Sequence, residues 1–408
     1  MASICFIWVF KINPLVSELK IEIGRCVMIY LDNAATTWPK PPEVVQAMNN
    51  FMIHNGGNPG RGTHAASIQA AHVIFDTRVE LAELFGLKDP SRIVFTNNTT
   101  YALNQALFGL LNPGDHVITS SLEHNAVARP LKALAKYGVS VTEVSGEPGD
   151  EFNLEEYRQS FQENTKCVVT LHASNVTGTI LPIEEIGNIA WEHGVKYLVD
   201  VAQTAGVFDL DLKNLPVDIL TFPGHKGLLG PQGTGGLAIR KGVQLKPLIY
   251  GGTGSLSESE DQPDFLPDQL ESGTLNGVGI AGLGGSVRYL RSVGIDERRE
   301  SELELCRQLI DGLCGIKGVK IYGEKNVLKR APIVSFNIGS LDSMFVADRL
   351  DQYYGIRCRA GMHCAPHAHR MLGTMDQGVI RFSPSHYTKS TEIADAIYAV
   401  SQLAKELL

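Results

Sequence analysis

Apolar and polar residues alternate along this chain in two rhythms. From Pro41 onward, apolar residues spaced three or four apart predict helices, and short apolar runs between turn residues predict buried strands. Pro41-Pro42-Glu43 opens the first helix, because proline and an acid suit a first turn; Val44, Val45, Met48, Phe51 and Met52 fall on one face of it. A second helix is expected over 68–85. Strands are expected at 93–96, 116–119, 139–143, 167–172, 196–200, 218–222 and 236–239. Amphipathic stretches at 101–111, 126–136, 154–161 and 184–193 separate most of them. This βα rhythm predicts an α/β fold, a mostly parallel sheet covered on both faces by helices.

A polar stretch at 251–268 predicts a long exposed loop. Beyond it, helices are expected at 277–293, 297–313, 344–350 and 389–407, with strands at 319–322 and 333–338. The pattern divides the chain into a large domain, 28–294, and a small α+β C-terminal domain, 295–408, with the boundary close to Gly294. The first residues of the large domain are placed to pack on the small one. Residues 1–27 read as an upstream extension: the apolar run from Ile4 to Phe10 lacks a basic leader and is too short to span a membrane. The ordered pattern begins at Met28, which is the expected translation start.

Composition narrows the classes. The 408 residues are 44% hydrophobic and 20% charged with a formal charge of −8, so a nucleic-acid partner is not expected. Small anions remain possible, because local loops bind them. No stretch is long and uncharged enough for a membrane span. Seven cysteines without a CxxC pair argue against a disulfide framework or a structural zinc, and for a reducing cytoplasm.

Ligands of open α/β sheets bind at the carboxyl ends of strands. Asn97-Asn98-Thr99-Thr100, Glu123-His124, Asn175, Asp200, Gln203 and His225-Lys226 all fall just past apolar runs, on one predicted rim. An acid such as Asp200 can pair with a protonated ring nitrogen, yet alone it could equally cap a helix. Lys226, in Gly224-His225-Lys226-Gly227, can reach an aldehyde unhindered, yet alone it is more often an exposed turn lysine. Gly230-Pro231-Gln232-Gly233 has no Walker pattern. Taken together these parts meet the three needs of pyridoxal 5′-phosphate. A helix N-terminus with Thr99 and Thr100 suits the phosphate, Asp200 the ring nitrogen, and Lys226 the aldehyde, as a Schiff base.

Leu31-Asp32-Asn33-Ala34-Ala35-Thr36-Thr37, the Asp200/Gln203 turn, His225-Lys226 and Arg359-Ala360-Gly361-Met362-His363-Cys364-Ala365 carry a resemblance to the class V aminotransferase family, within it to cysteine desulfurases and selenocysteine lyases. The resemblance runs from about Met28 to the C-terminus. It implies fold type I and a set of roles. His124 would stack on the pyridine ring and move protons; Asn175 and Gln203 would bind its phenolic oxygen side. Thr99, Thr100 and His225 would hold the phosphate, and Thr274 the phosphate of a neighbouring subunit, in a homodimer with shared sites. Arg381 would grip the substrate carboxylate through a bidentate pair, with Arg359 helping to position substrate. Without the resemblance, His124 reads as a surface or capping histidine, Arg381 as a salt-bridge partner and Thr99-Thr100 as a helix cap.

Cys364 has three readings: a metal ligand beside His363, His367 and His369, a packed thiol, or a nucleophile whose neighbours favour thiolate. No compact four-ligand set supports the metal, and the resemblance favours the nucleophile. Cys358, inside a short strand-like stretch at 355–359, is expected in the core. The implied function is desulfuration of L-cysteine to L-alanine, with sulfur passing to Cys364 as a persulfide and on to a protein acceptor. The alternatives are a selenocysteine lyase acting on L-selenocysteine, another lyase of the family, or a non-catalytic homologue, against which Lys226, Asp200, His124 and Arg381 argue. Two departures stand out. Pro223 replaces a hydroxyl residue common in relatives, and Leu275 replaces a proline before Asn276; both bear on cofactor retention.

Overall fold

The computed structural model describes residues 28–60, 62, 64–145 and 153–408. The expectations for residues 1–27, an upstream extension and a start just after it, lie outside the described residues.

The chain enters through a short strand, β1 (Ile29–Tyr30), and a loop that leads to α1 (Pro42–His54) and α2 (Ala65–Leu84). Seven strands then build the main sheet: β2 (Ile93–Thr96), β3 (His116–Ser120), β4 (Ser140–Val144), β5 (Thr165–Leu171), β6 (Lys196–Asp200), β7 (Ile219–Pro223) and β8 (Gly235–Ile239). Their spatial order is β2-β8-β7-β6-β5-β3-β4. The five strands from β7 to β4 run parallel, while β8 is antiparallel to both its neighbours. The predicted strands lie within about two residues of the observed ones, the margin usual at element ends. Continuous apolar runs such as Val168, Val169 and Leu198, Val199 are buried because helices cover both faces of a parallel sheet. Those helices are α3 (Thr99–Leu110), α4 (Asn125–Ala135), α5 (Leu154–Gln159) and α6 (Ile183–Glu192), joined by α7 (Gly277–Val293).

Residues 251–268 form no helix or strand and are largely exposed, as the polar composition predicts. The expected apolar face of α1 is only half used: Val44 and Phe51 are buried, whereas Val45 and Met52 are exposed. The reason lies in α7. A side chain at Gly277 would strike the Phe51 ring at 2.5 Å, and one at Gly285 the Glu43 carbonyl oxygen at 2.7 Å. The glycine stripe lets α1 lie directly on α7 along a narrow seam.

The C-terminal part builds a second, antiparallel sheet of order β12-β13-β10-β9, from β9 (Val319–Tyr322), β10 (Val334–Ile338), β12 (Arg359–Gly361) and β13 (Val379–Phe382). Helices α8 (Ile295–Cys314), α9 (Ser343–Tyr354) and α11 (Ser390–Leu407) accompany it, and a short α10 (Pro366–Leu372) follows the Cys364 turn. Leu309, Phe336, Phe382 and Val400 share one apolar cluster there. Ile29 and Leu31 join that cluster, and β1 pairs in parallel with β11 (Ile356–Arg357). The N-terminal strand therefore belongs to the second apolar cluster although the chain then departs into the first. Cys358 packs half-buried against the same cluster, which pushes its thiol pKa up. Among the described residues, no helix is long and apolar enough to cross a membrane.

Candidate active site

The parallel strands end along one edge, and the predicted residues collect there. Asp200 is the last residue of β6 and is buried. One Asp200 oxygen accepts from the Ala202 amide at 2.9 Å and from the Thr99 hydroxyl at 3.5 Å. Burial raises its pKa, opposed by the amide, Lys226 and Thr99. Lys226 follows β7 on a turn, and Thr99, His124, Asn175, Asp200, Gln203 and Lys226 line one small cavity. Burial, aided by Arg381 and Arg359, lowers the Lys226 pKa to about 8, against the pull of Asp200 and Asp32.

His124 caps α4: its Nδ1 accepts from the Ala126 amide at 3.0 Å, so the neutral ring carries its proton on Nε2. Burial first, then Lys226, Arg359, Arg129 and Arg381, lower its pKa to about 4. Asn175 donates from Nδ2 to the His363 carbonyl at 2.7 Å, while its Oδ1 is buried without a partner. Gln203 Nε2 reaches the Ala34 carbonyl at 3.3 Å. Arg381, only 1% exposed, donates to the Asn175 carbonyl and to Asp32 Oδ1, both at 2.9 Å, and its Nε has no partner.

Cys364 sits at the mouth. It is exposed, and Arg359 Nη2 lies 3.6 Å from its sulfur. His363 and Cys364 both adopt left-handed φ angles, 47° and 58°, which non-glycine residues rarely occupy. The Cys364 carbonyl accepts from the Asn125 amide at 2.8 Å. With Thr100, Asn104, Phe108, His124 and Arg129, Cys364 lines an open groove beside the cavity. Its histidine neighbours are engaged elsewhere: His363 Nε2 with the Val379 carbonyl at 3.0 Å, His367 with Glu143 at 2.6 Å, and His369 with Thr374 at 2.8 Å. Among the described residues, no group of three or more His, Cys, Asp or Glu side chains is arranged to hold a metal ion.

His225 and Thr274, like Thr100, are not among the residues that line the Lys226 cavity, although His225 directly precedes Lys226. His225 hydrogen-bonds Thr36 at 3.1 Å, and burial, with Lys226 and Lys40, lowers its pKa to about 4. Thr274 is exposed and lines a separate cavity of about 400 Å³ with Asn58, Gly60 and Thr253. Within one chain it is not part of the Lys226 cavity.

Sequence reasoning missed a clamp behind Lys226. The His225 carbonyl receives Thr36 Oγ1 and the Thr37 amide at 3.2 Å and Lys40 Nζ at 2.6 Å, and Thr37 Oγ1 donates to the Lys226 carbonyl at 2.9 Å. It also missed the role of Asp32 as the carboxylate facing Arg381. Glu123 was placed on the rim by the sequence but given no role. It is fully buried, accepts from Ser120 at 2.5 Å and the Leu171 amide at 2.9 Å, and burial raises its pKa to about 8. Only the polar stretch from Asp32 to Thr37, placed between apolar segments, signalled the clamp and Asp32.

These groups fit pyridoxal phosphate on structural grounds. The cavity holds a buried acid, an amine with a lowered pKa, and an amide oxygen, Asn175 Oδ1, that lacks a donor. The orphan N–H groups of the first turn of α3 lie at its rim, where a phosphate is favoured.

A family profile described as Aminotransferase class-V matches residues 29–395. A probable cysteine desulfurase of Methanothermobacter thermautotrophicus is 36% identical over 90% of this chain and 92% of its own length. A cysteine desulfurase of Escherichia coli is 31% identical over 88% of this chain and 90% of its own. Among solved structures, the apo form of a cysteine desulfurase from Thermococcus onnurineus superposes with a TM-score of 0.88 at 33% identity, covering 93% of this chain and 95% of that one.

Proposed function

Because the chain belongs to the class-V aminotransferase family, we propose that it is a cysteine desulfurase, taking L-cysteine to L-alanine and passing the sulfur to Cys364 as a persulfide. The observation that carries the reading is the meeting of Lys226, Asp200 and His124 in one cavity with Cys364 on the adjoining groove. Fold type I and the family imply pyridoxal phosphate, which when bound supplies an electron sink for the charge left by the departing α-proton.

The chain's own residues do the rest. Asp200 would set its carboxyl group against a protonated ring nitrogen, whose charge would favour the carboxylate. Thr99 and Thr100 would hold the phosphate with His225, and Asn175 and Gln203 the phenolic side. Lys226, with its pKa lowered to about 8, would offer its amine to the aldehyde in the neutral form as pH rises through that value, and can take up the α-proton. His124 stays neutral and holds a proton on Nε2 beside the cavity. Arg381 would take the substrate carboxylate through its unpaired Nε edge, with Arg359 between that carboxylate and the thiol. The Cys364 sulfur then bonds to the substrate sulfur as the substrate's Cβ–S bond breaks. That bond's electron pair passes to the carbon which, once protonated, becomes the methyl group of alanine. An exposed turn suits hand-over of the persulfide to an acceptor protein, and a reducing compartment keeps the thiol free.

A homodimer completes the reading. Val45, Met52, Ile53 and Phe75 are exposed apolar residues on α1 and α2, and Thr274 opens onto a cavity that Phe75 also lines rather than the one at its own Lys226. Both features support a neighbouring subunit that receives Thr274.

Protein reconstituted with pyridoxal phosphate is expected to release alanine from L-cysteine and to gain the mass of one sulfur on the Cys364 peptide. Cys364→Ala is expected to lose the persulfide and nearly all desulfuration. Full cysteine turnover in Cys364→Ala sinks the nucleophile assignment, and turnover of L-selenocysteine alone favours the lyase alternative.

A further inference from the structure

The turn that carries the nucleophile is held by two carbonyl hydrogen bonds. The His363 carbonyl accepts from Asn175 Nδ2 at 2.7 Å, and the Cys364 carbonyl accepts from the Asn125 amide at 2.8 Å. Both residues of the turn have left-handed φ angles, so the backbone needs outside contacts to keep this shape. The His363 side chain is anchored separately, on the Val379 carbonyl. Asn175 thus supplies the side-chain contact that governs the peptide just before Cys364.

Asn175 also belongs to the other site. It lines the Lys226 cavity, and its main-chain carbonyl is fixed by Arg381 Nη1 at 2.9 Å. The orientation of its amide follows from chemistry: a carbonyl can only accept, so Nδ2 must face His363 and Oδ1 must face away. That Oδ1 is buried and has no donor. A buried acceptor without a donor is costly, so nothing on the cavity side fixes the amide, and a turn about its Cβ–Cγ bond breaks the bond to His363. An acceptor seated in the cavity, such as a phenolic oxygen, takes the second Nδ2 hydrogen; a turned amide would then set Oδ1 against two acceptors, so the seated group holds the amide as it is.

We propose that Asn175 is a positioning residue that couples occupancy of the Lys226 cavity to the order of the Cys364 turn. A seated cofactor holds the nucleophile's loop in place, and an empty cavity loosens it. The proposal deepens the desulfurase reading and rests on the cofactor binding beside Lys226.

The test reads the thiol rather than turnover. Cys364 alkylation by iodoacetamide is followed by peptide mass in the protein with and without pyridoxal phosphate, with the exposed Cys314 as reference thiol. In the wild type, removing the cofactor is expected to speed Cys364 alkylation at least about fivefold, the usual scale of coupling between sites, and to leave Cys314 unchanged. In Asn175→Ala and the near-isosteric Asn175→Asp, neither of which can donate to His363, the cofactor-loaded rate is expected to rise to the empty-form rate. Simple shielding of the thiol by the cofactor predicts the opposite, with protection intact in both variants, and that result overturns the proposal. Equal wild-type rates with the cofactor bound, judged by its absorbance, overturn it as well. Absence of any cofactor absorbance in the wild type instead overturns the desulfurase reading, and the coupling with it.

Discussion

Lys226 shows how neighbours tune a single residue. An ordinary lysine amine is protonated until pH 10.5, whereas burial brings this one to about 8, with Arg381 and Arg359 adding to the effect. The sign for stability follows directly. Between about pH 8 and 10.5 the unfolded chain holds this proton and the folded chain has lost it, so the Lys226 contribution to stability improves as pH rises through that window. The sign for chemistry is the same, since the neutral amine is the nucleophile. Capture of pyridoxal phosphate by the empty protein is therefore expected to accelerate through an inflection near pH 8, as read by stopped-flow absorbance. Asp32 raises the Lys226 pKa, so Asp32→Asn is expected to move that inflection lower. An inflection above pH 10 in the wild type rules this account out. Asp32 has a second charge to answer, because it also pairs with Arg381 at 2.9 Å, its side chain 24% exposed against 1% for the arginine.

At the scale of elements, the Lys226 turn is held by parts of the chain that never touch the cavity. Arg298 of α8 pairs with Glu302 at 2.8 Å, both side chains 3% exposed or less, and donates to the Gly206 carbonyl at 2.8 Å and to the Gly227 carbonyl. Arg298→Met leaves Glu302 as a buried charge with only His386 nearby, a loss of about 3–5 kcal/mol when a buried pair is broken from one side. Urea unfolding is expected to show that loss; a change within about 0.5 kcal/mol, the range of surface substitutions, counts against it. The sequence makes the strands of the main sheet legible, because each is an apolar run bounded by turn residues, and with them Asp200 and Lys226 at their ends. It hides β1 and β12, which have two or three residues each and are too short to show alternation, whereas β11 falls inside the strand-like stretch at 355–359. It hides the clamp of Thr36, Thr37 and Lys40 for another reason: those bonds go to backbone carbonyls, which leave no trace in residue type. The glycine stripe of α7 was equally silent about which face of α1 it would cover, since a glycine marks a close approach without naming the partner.

Across the whole molecule, two apolar clusters are tied together at the site. One holds the parallel sheet with Asp200 and Lys226 at its edge. The other holds the antiparallel sheet, in which Arg359 and Arg381 face each other as register partners on β12 and β13. The catalytic geometry proposed here thus depends on how the second sheet sits against the edge of the first. Links that fix it include Arg381 to the Asn175 carbonyl, Asn175 to the His363 carbonyl, the Asn125 amide to the Cys364 carbonyl, and His367 to Glu143.

The pairing of β1 with β11 has a consequence in time. Asp32 and Arg381 are 349 positions apart, and β1 has no partner strand until Ile356 and Arg357 exist. On the ribosome, the main sheet is complete in sequence long before that partner emerges, and closing so long a loop is a late event. The segment from Ile29 to Ala34 must then wait for its partners at Ile356, Arg357, Arg381 and Ser383 while the main sheet takes shape. Nascent chains stalled before residue 356 are expected to be cut by protease within 29–34, and chains released at full length to be protected there. Protection already present in the stalled chains rejects this order of events.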